Sequence, residues 1–246
     1  WNYSDKYDEV MATYHQQIYA IDVAVGMIRE ALKKSGTDKN TVIIYTSDNG
    51  FFCGSHGYGS KVLPYEESSR VPLIIYDPRH ANSGKKLRTS ALTGNIDFAP
   101  TILSLAGISS PKNMDGKNLM TVYENPKSSL HHSIALINVW GKEPTHAMGV
   151  VTEKMKYLYW GYAAKGFKPT NELYDLRNDP LEKSNEFSSS DYQKARKKMQ
   201  KLYDQHLAHW KENAVAYNNY QKFSTLFDRK LQWDEKVKRV NNLSSK

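Results

Sequence analysis

Five consecutive residues, Thr41-Val42-Ile43-Ile44-Tyr45, are β-branched or aromatic and show no polar alternation. A run of that kind marks a strand covered on both faces, which is the habit of α/β sheets. Ahead of it, the apolar positions Met11, Tyr14, Ile18, Ile21, Val25, Ile28 and Leu32 step by three and four. That period predicts a helix from Tyr7 to Lys34 with one buried stripe. Ser35-Gly36 closes the helix, and Lys33 and Lys34 suit the negative end of its dipole. A second apolar strand, Val71 to Tyr76, stops at Asp77-Pro78. Helix, strand, loop and strand in this order predict an α/β fold with a mostly parallel sheet flanked by helices.

Residues 96 to 106 read as a short helix with Pro100 in its first turn and Gly107 at its end. Beyond Met114-Asp115-Gly116 the texture changes. Short apolar or aromatic runs (Ile134 to Val139, Met148 to Thr152, Tyr157 to Tyr162, Leu173 to Leu176) alternate with turn residues, as in an antiparallel meander. Helical periodicity returns over residues 190 to 213, and the polar stretch after it is expected to fray. The predicted organisation is therefore a core portion over 1–125 and a smaller antiparallel subdomain with a C-terminal helix over 126–246.

Composition removes several classes of function. A single cysteine, Cys53, forbids an internal disulfide and a Cys-cluster zinc site, and reads as a small buried hydrophobe or a loop thiol. No apolar run approaches the roughly 18 residues of a membrane span. Lys and Arg number 34 against 26 Asp and Glu, a net charge of +8 that favours anionic partners. Lys194, Arg196, Lys197, Lys198 and Lys201 lie at helical spacing and read as a solvated helix face, since no nucleic-acid-reading motif accompanies them. His131 and His132 lack a third ligand at zinc spacing and are expected to face solvent.

The chemistry-bearing segment is the glycine-rich loop between the two strands. Asp48 and Asn49 follow the first strand directly and offer a carboxylate and an amide carbonyl, the hard oxygen donors of a Ca²⁺ or Mg²⁺ site, although Asp-Asn-Gly is equally a turn signal. The order then runs Gly54-Ser55-His56-Gly57, Lys61, Tyr65-Glu66-Glu67 and Arg70-Val71-Pro72. Arg70 is expected to pair internally with Glu66 or Glu67. Glycines at 50, 54, 57 and 59 let this loop bring its backbone close to a ligand.

This string resembles the later signature of the sulfatase family, in the alkaline-phosphatase-like superfamily. Similarity extends to Asn95-Ile96-Asp97-Phe98-Ala99-Pro100-Thr101, to Met114-Asp115-Gly116-Lys117-Asn118-Leu119, and to Glu172-Leu173-Tyr174-Asp175-Leu176 with Asp179-Pro180-Leu181-Glu182 and Asn185. The resemblance implies an alkaline-phosphatase-like fold. It implies that Asp48 and Asn49 are two calcium ligands and that Lys61 contacts sulfate as catalytic and substrate-binding residue. His56, in the same loop, is the other catalytic and substrate-binding candidate; lining the pocket, orienting substrate and bonding a backbone carbonyl are all open to it. A divalent cation and a mobile ammonium can neutralise the non-bridging oxygens of a sulfate ester as charge redistributes.

One family feature has no counterpart here. The formylglycine nucleophile, made within a Cys/Ser-x-Pro/Ala-x-Arg sequence, and two earlier calcium-binding aspartates are not matched, and Cys53 is followed by Gly54-Ser55-His56. The resemblance thus implies a carboxy-terminal portion of an exported sulfuric ester hydrolase (periplasmic, extracellular or lysosomal). It would act on sulfated glycans or aryl sulfates, inactive without an N-terminal segment of the same protein. A phosphate or phosphonate ester hydrolase of that superfamily and a noncatalytic anion-binding module are the alternatives.

Overall fold

The computed structural model describes residues 3–141, 143–163, 166–215 and 220–244. The first element, α1 (Tyr3–Lys34), ends where the sequence predicts, with Asp5 in its first turn and Lys33 and Lys34 in its last. Its apolar stripe, however, is only partly covered, with Met11, Tyr14, Val25 and Leu32 half-buried. Ile18, Ile21 and Ile28 are 47%, 46% and 56% exposed, and the ring of Tyr14 stacks on Phe51 at 6.4 Å. The predicted burial of this stripe is not met within the described residues, because periodicity reports which face is apolar and not what lies against it.

Strands β1 (Ile43–Tyr45) and β2 (Ile74–Tyr76) pair with Ile44 opposite Ile75. This pair runs antiparallel, an arrangement that mostly parallel sheets also carry at an edge. An unalternating apolar run signals cover on both faces but carries no information about its neighbour's direction. Between the strands lies the one-turn helix α2 (Glu66–Ser69). After β2 come α3 (Phe98–Leu105) and α4 (Met120–Glu124).

The main core forms where the meander is predicted. β3 (Ile134–Asn138), β4 (Ala147–Val151), β5 (Met155–Trp160) and β6 (Thr170–Asp175) make a four-stranded antiparallel sheet in chain order. Met148, Val150, Tyr157 and Tyr159 on β4 and β5 pack against Met199, Tyr203 and Leu207 of α5 (Gln193–Asn213). Phe223, Leu226 and Phe227 complete this cluster from α6 (Gln221–Leu226) and the residue after it. The stretch expected to fray contains α7 (Trp233–Ser244), fastened by the buried Lys236, whose Nζ donates to Tyr159 Oη at 2.6 Å and Leu226 O at 2.8 Å. No described helix is long and apolar enough to cross a membrane.

His131 departs from its solvent-facing expectation. It is buried, and its Nε2 lies 2.7 Å from Oδ1 of the fully buried Asp97.

Candidate functional site

β1 delivers the chain directly into Ser47-Asp48-Asn49. Local hydrogen bonds fix the turn: Asn49 N–H donates to Asp48 Oδ1 at 2.8 Å, and Ser47 Oγ donates to Asn49 O at 2.8 Å. Asn95, ahead of α3, donates its side-chain amide to Asp48 O at 2.9 Å. The chain then makes a narrow excursion pinned by the buried Phe52, with Phe52 N–H donating to Ser60 O at 2.9 Å and Gly54 N–H to Tyr58 O at 2.9 Å. Gly54 sits at φ +95°, a conformation available to glycine at little cost.

The excursion returns Lys61 to the turn it left. Lys61 Nζ donates to Asn49 Oδ1 at 3.1 Å, so the predicted sulfate-contacting ammonium and one predicted metal ligand meet. Asp48 and Lys61 are exposed and Asn49 is half-buried. His56 is drawn elsewhere: its ring stacks on Tyr65 with centroids 4.5 Å apart at 16°, and Nε2 stands 3.6 Å from Glu67 Oε2. The structure thus brings Lys61 to the Asn49 side chain, beside Asp48 in the chain, and holds His56 against Tyr65.

Beneath the loop lies a charged network. Lys156, on β5, reaches Glu66 Oε1 at 2.7 Å and Glu182 Oε1 at 2.8 Å, all three side chains being largely or fully buried. Burial pushes the Glu182 carboxyl up, opposed by the Lys156 ammonium. Burial, then the nearby Glu172 carboxylate, pushes the Tyr65 hydroxyl far up; it donates to Glu172 Oε2 at 3.1 Å. Arg70 pairs with Glu66 as expected, at 3.7 Å, but its own side chain is mostly in water. Lys156 is the stronger partner and escaped sequence reasoning; the signal was a lone ammonium inside the apolar run of β5.

Two donor sets invite a cation. Ligand atoms of His56, Glu67 and Glu182 lie within 4.8 Å of one another, yet the Lys156 ammonium already supplies positive charge there. At the loop turn, Asp48 and Asn49 offer oxygens suited to a hard ion, with Asn49 Oδ1 facing Lys61. Two donors fit such an ion in kind but fall short of the six to eight that calcium takes.

Comparison with known proteins finds sulfatases and a phosphonate monoester hydrolase. Residues 54–212 match the family described as N-sulphoglucosamine sulphohydrolase, C-terminal. The chain is 33% identical over 214 residues to an N-acetylglucosamine-6-O-sulfatase of Bacteroides thetaiotaomicron, covering 85% of this chain and 37% of that protein. It is 32% identical to an arylsulfatase of Clostridium perfringens, covering 74% of this chain and 36% of that one. It therefore spans little more than a third of these curated relatives. A protein solved in complex with its substrate D-glucosamine-2-N,6-O-disulfate superposes with a TM-score of 0.76 at 32% identity, over 85% of this chain and 42% of that one. The phosphonate monoester hydrolase of Agrobacterium radiobacter gives a TM-score of 0.70 at 25% identity, over 82% and 43%.

Proposed function

The chain belongs to the sulfatase family, as a carboxy-terminal portion with the alkaline-phosphatase-like fold, and from that premise we propose that it supplies half of a site for hydrolysing sulfate esters of glycans. Residues 1–125 would join the catalytic core and residues 126–246 would form the smaller subdomain behind it. The observation that carries the proposal is the approach of Lys61 Nζ to Asn49 Oδ1, beside Asp48, at the mouth of β1. In open α/β folds ligands gather outside the carboxyl ends of strands.

Each residue has work that follows from its chemistry. The Lys61 ammonium, a point charge on a flexible stem, binds a non-bridging sulfate oxygen and holds the group in place. Asp48 and Asn49 would hold calcium together with ligands from an N-terminal segment of the same protein. Calcium, when bound, neutralises charge on the sulfate oxygens. The formylglycine nucleophile would come from that same segment. His56, held against Tyr65, would line the pocket or orient the bound ester. An amino-sugar sulfate is favoured as substrate by the likeness to the N-acetylglucosamine-6-O-sulfatase, and an exported location by the family.

In the complete enzyme, Asp48→Ala and Lys61→Ala are each expected to cut sulfate release by about 10²-fold or more, the scale of losing one electrostatic stabiliser. Activity within about threefold of the parent in both would overturn the assignment. A phosphonate or phosphate ester is the second candidate substrate, favoured by the likeness to the phosphonate monoester hydrolase. Parallel rates on an aryl sulfate and an aryl phosphonate decide between them.

A further inference from the structure

We propose that Lys156 is a positioning residue for Asn49 and Lys61, acting through α2, so that the four-stranded sheet sets the geometry of the sulfate site. The proposal rests on the sulfate-ester function above.

Lys156 has no exposed side-chain surface, and its Nζ lies 2.7 Å from Glu66 Oε1, 2.8 Å from Glu182 Oε1 and 3.4 Å from Ser69 Oγ. Glu182 takes a second grip on the same helix, its Oε2 accepting the Glu66 N–H at 2.6 Å. Tyr65, just before α2, donates to Glu172 on β6. α2 is thereby tied to β5 and β6 by ion pairs and charge-assisted hydrogen bonds, which are stronger than neutral contacts.

Ser68 carries that anchorage to the loop. Its carbonyl accepts the Gly50 N–H at 2.8 Å, and its hydroxyl accepts the Val62 N–H at 2.8 Å. Gly50 adjoins Asn49, and Val62 adjoins Lys61, so one residue of α2 holds both ends of the excursion. The contact leaves no play: a Cβ on Gly50 would fall onto the Glu67 carbonyl oxygen. Val62 is held at φ +84°, a region that a β-branched residue keeps only when its surroundings impose it. Replacing a buried ionic group by apolar or neutral groups of like volume commonly leaves stability unchanged. What the charges add here is a single orientation of α2.

The test uses the complete enzyme with Glu66→Gln, Lys156→Met and Glu182→Gln combined, which removes all three charges and keeps their volume, and separately Glu182→Gln. The combined variant is expected to melt within about 5 °C of the parent. Its kcat on 4-nitrophenyl sulfate should fall roughly tenfold or more with KM within about threefold, the mark of misplacement rather than lost binding. Hydrogen exchange at the Gly50 and Val62 amides should quicken roughly tenfold or more while β5 and β6 amides hold their rates. A folded variant with kcat within about twofold and unchanged exchange at both amides overturns the proposal. Should the combined variant fail to fold, Glu182→Gln is read by the same two measures. A parent that releases no sulfate defeats the sulfate-ester function alone, and exchange at the two amides then decides the positioning role by itself.

Discussion

Asp97 shows what a buried carboxylate needs. Its Oδ2 accepts the Gly94 N–H at 2.8 Å, and its Oδ1 accepts the Lys117 N–H at 2.7 Å and lies 2.7 Å from His131 Nε2. Asp97→Ala would strand these partners in a dry site, and a loss of about 3–5 kcal/mol in urea unfolding is expected. Lys236 makes the opposite statement about charge. Burial pulls its ammonium down to about 8, so between pH 8 and 10.5 the unfolded chain binds more protons than the folded one. Stability contributed at this site is fully present above 10.5 and is lost as pH falls through about 8. The parent should therefore gain on a Lys236→Met variant between pH 7.5 and 10, by up to about 3 kcal/mol, in paired melts. Neither residue's situation was legible in the sequence. Asp97 and His131 are 34 positions apart, and spacing along a chain does not announce a contact that the fold alone creates.

Elements were more legible than their surroundings. The three-and-four step found α1 and α5, and short aromatic runs found β3 to β6, because side-chain period is a local property. Strand direction and helix cover are set by distant chain, which is why neither the antiparallel pairing of β1 with β2 nor the partly open stripe of α1 could be read from the period. The loop carrying Asp48, Asn49 and Lys61 was readable as a string, while the strut under it, joining β5 to α2, was not. A contrast between two helices follows. Leu207→Ala on α5, where the side chain is 4% exposed, should cost about 2–5 kcal/mol in urea unfolding of this chain. Ile18→Ala on α1 should cost less than about 0.5 kcal/mol in the same experiment.

For the molecule as a whole, two oxygen donors cannot satisfy calcium. Calorimetry of this chain alone should find calcium binding weaker than about 1 mM, and tighter binding once the N-terminal segment is supplied. Sub-millimolar affinity in the isolated chain would show that ligands other than Asp48 and Asn49 lie within it. The four-stranded sheet runs in chain order, so each hairpin closes over a short loop and can fall into register early. The strut to α2 spans 116 residues between Glu66 and Glu182. During folding, the scaffold is expected to be finished before the loop that bears Lys61 settles onto it, which makes alignment of that loop a late event in the folding of the chain.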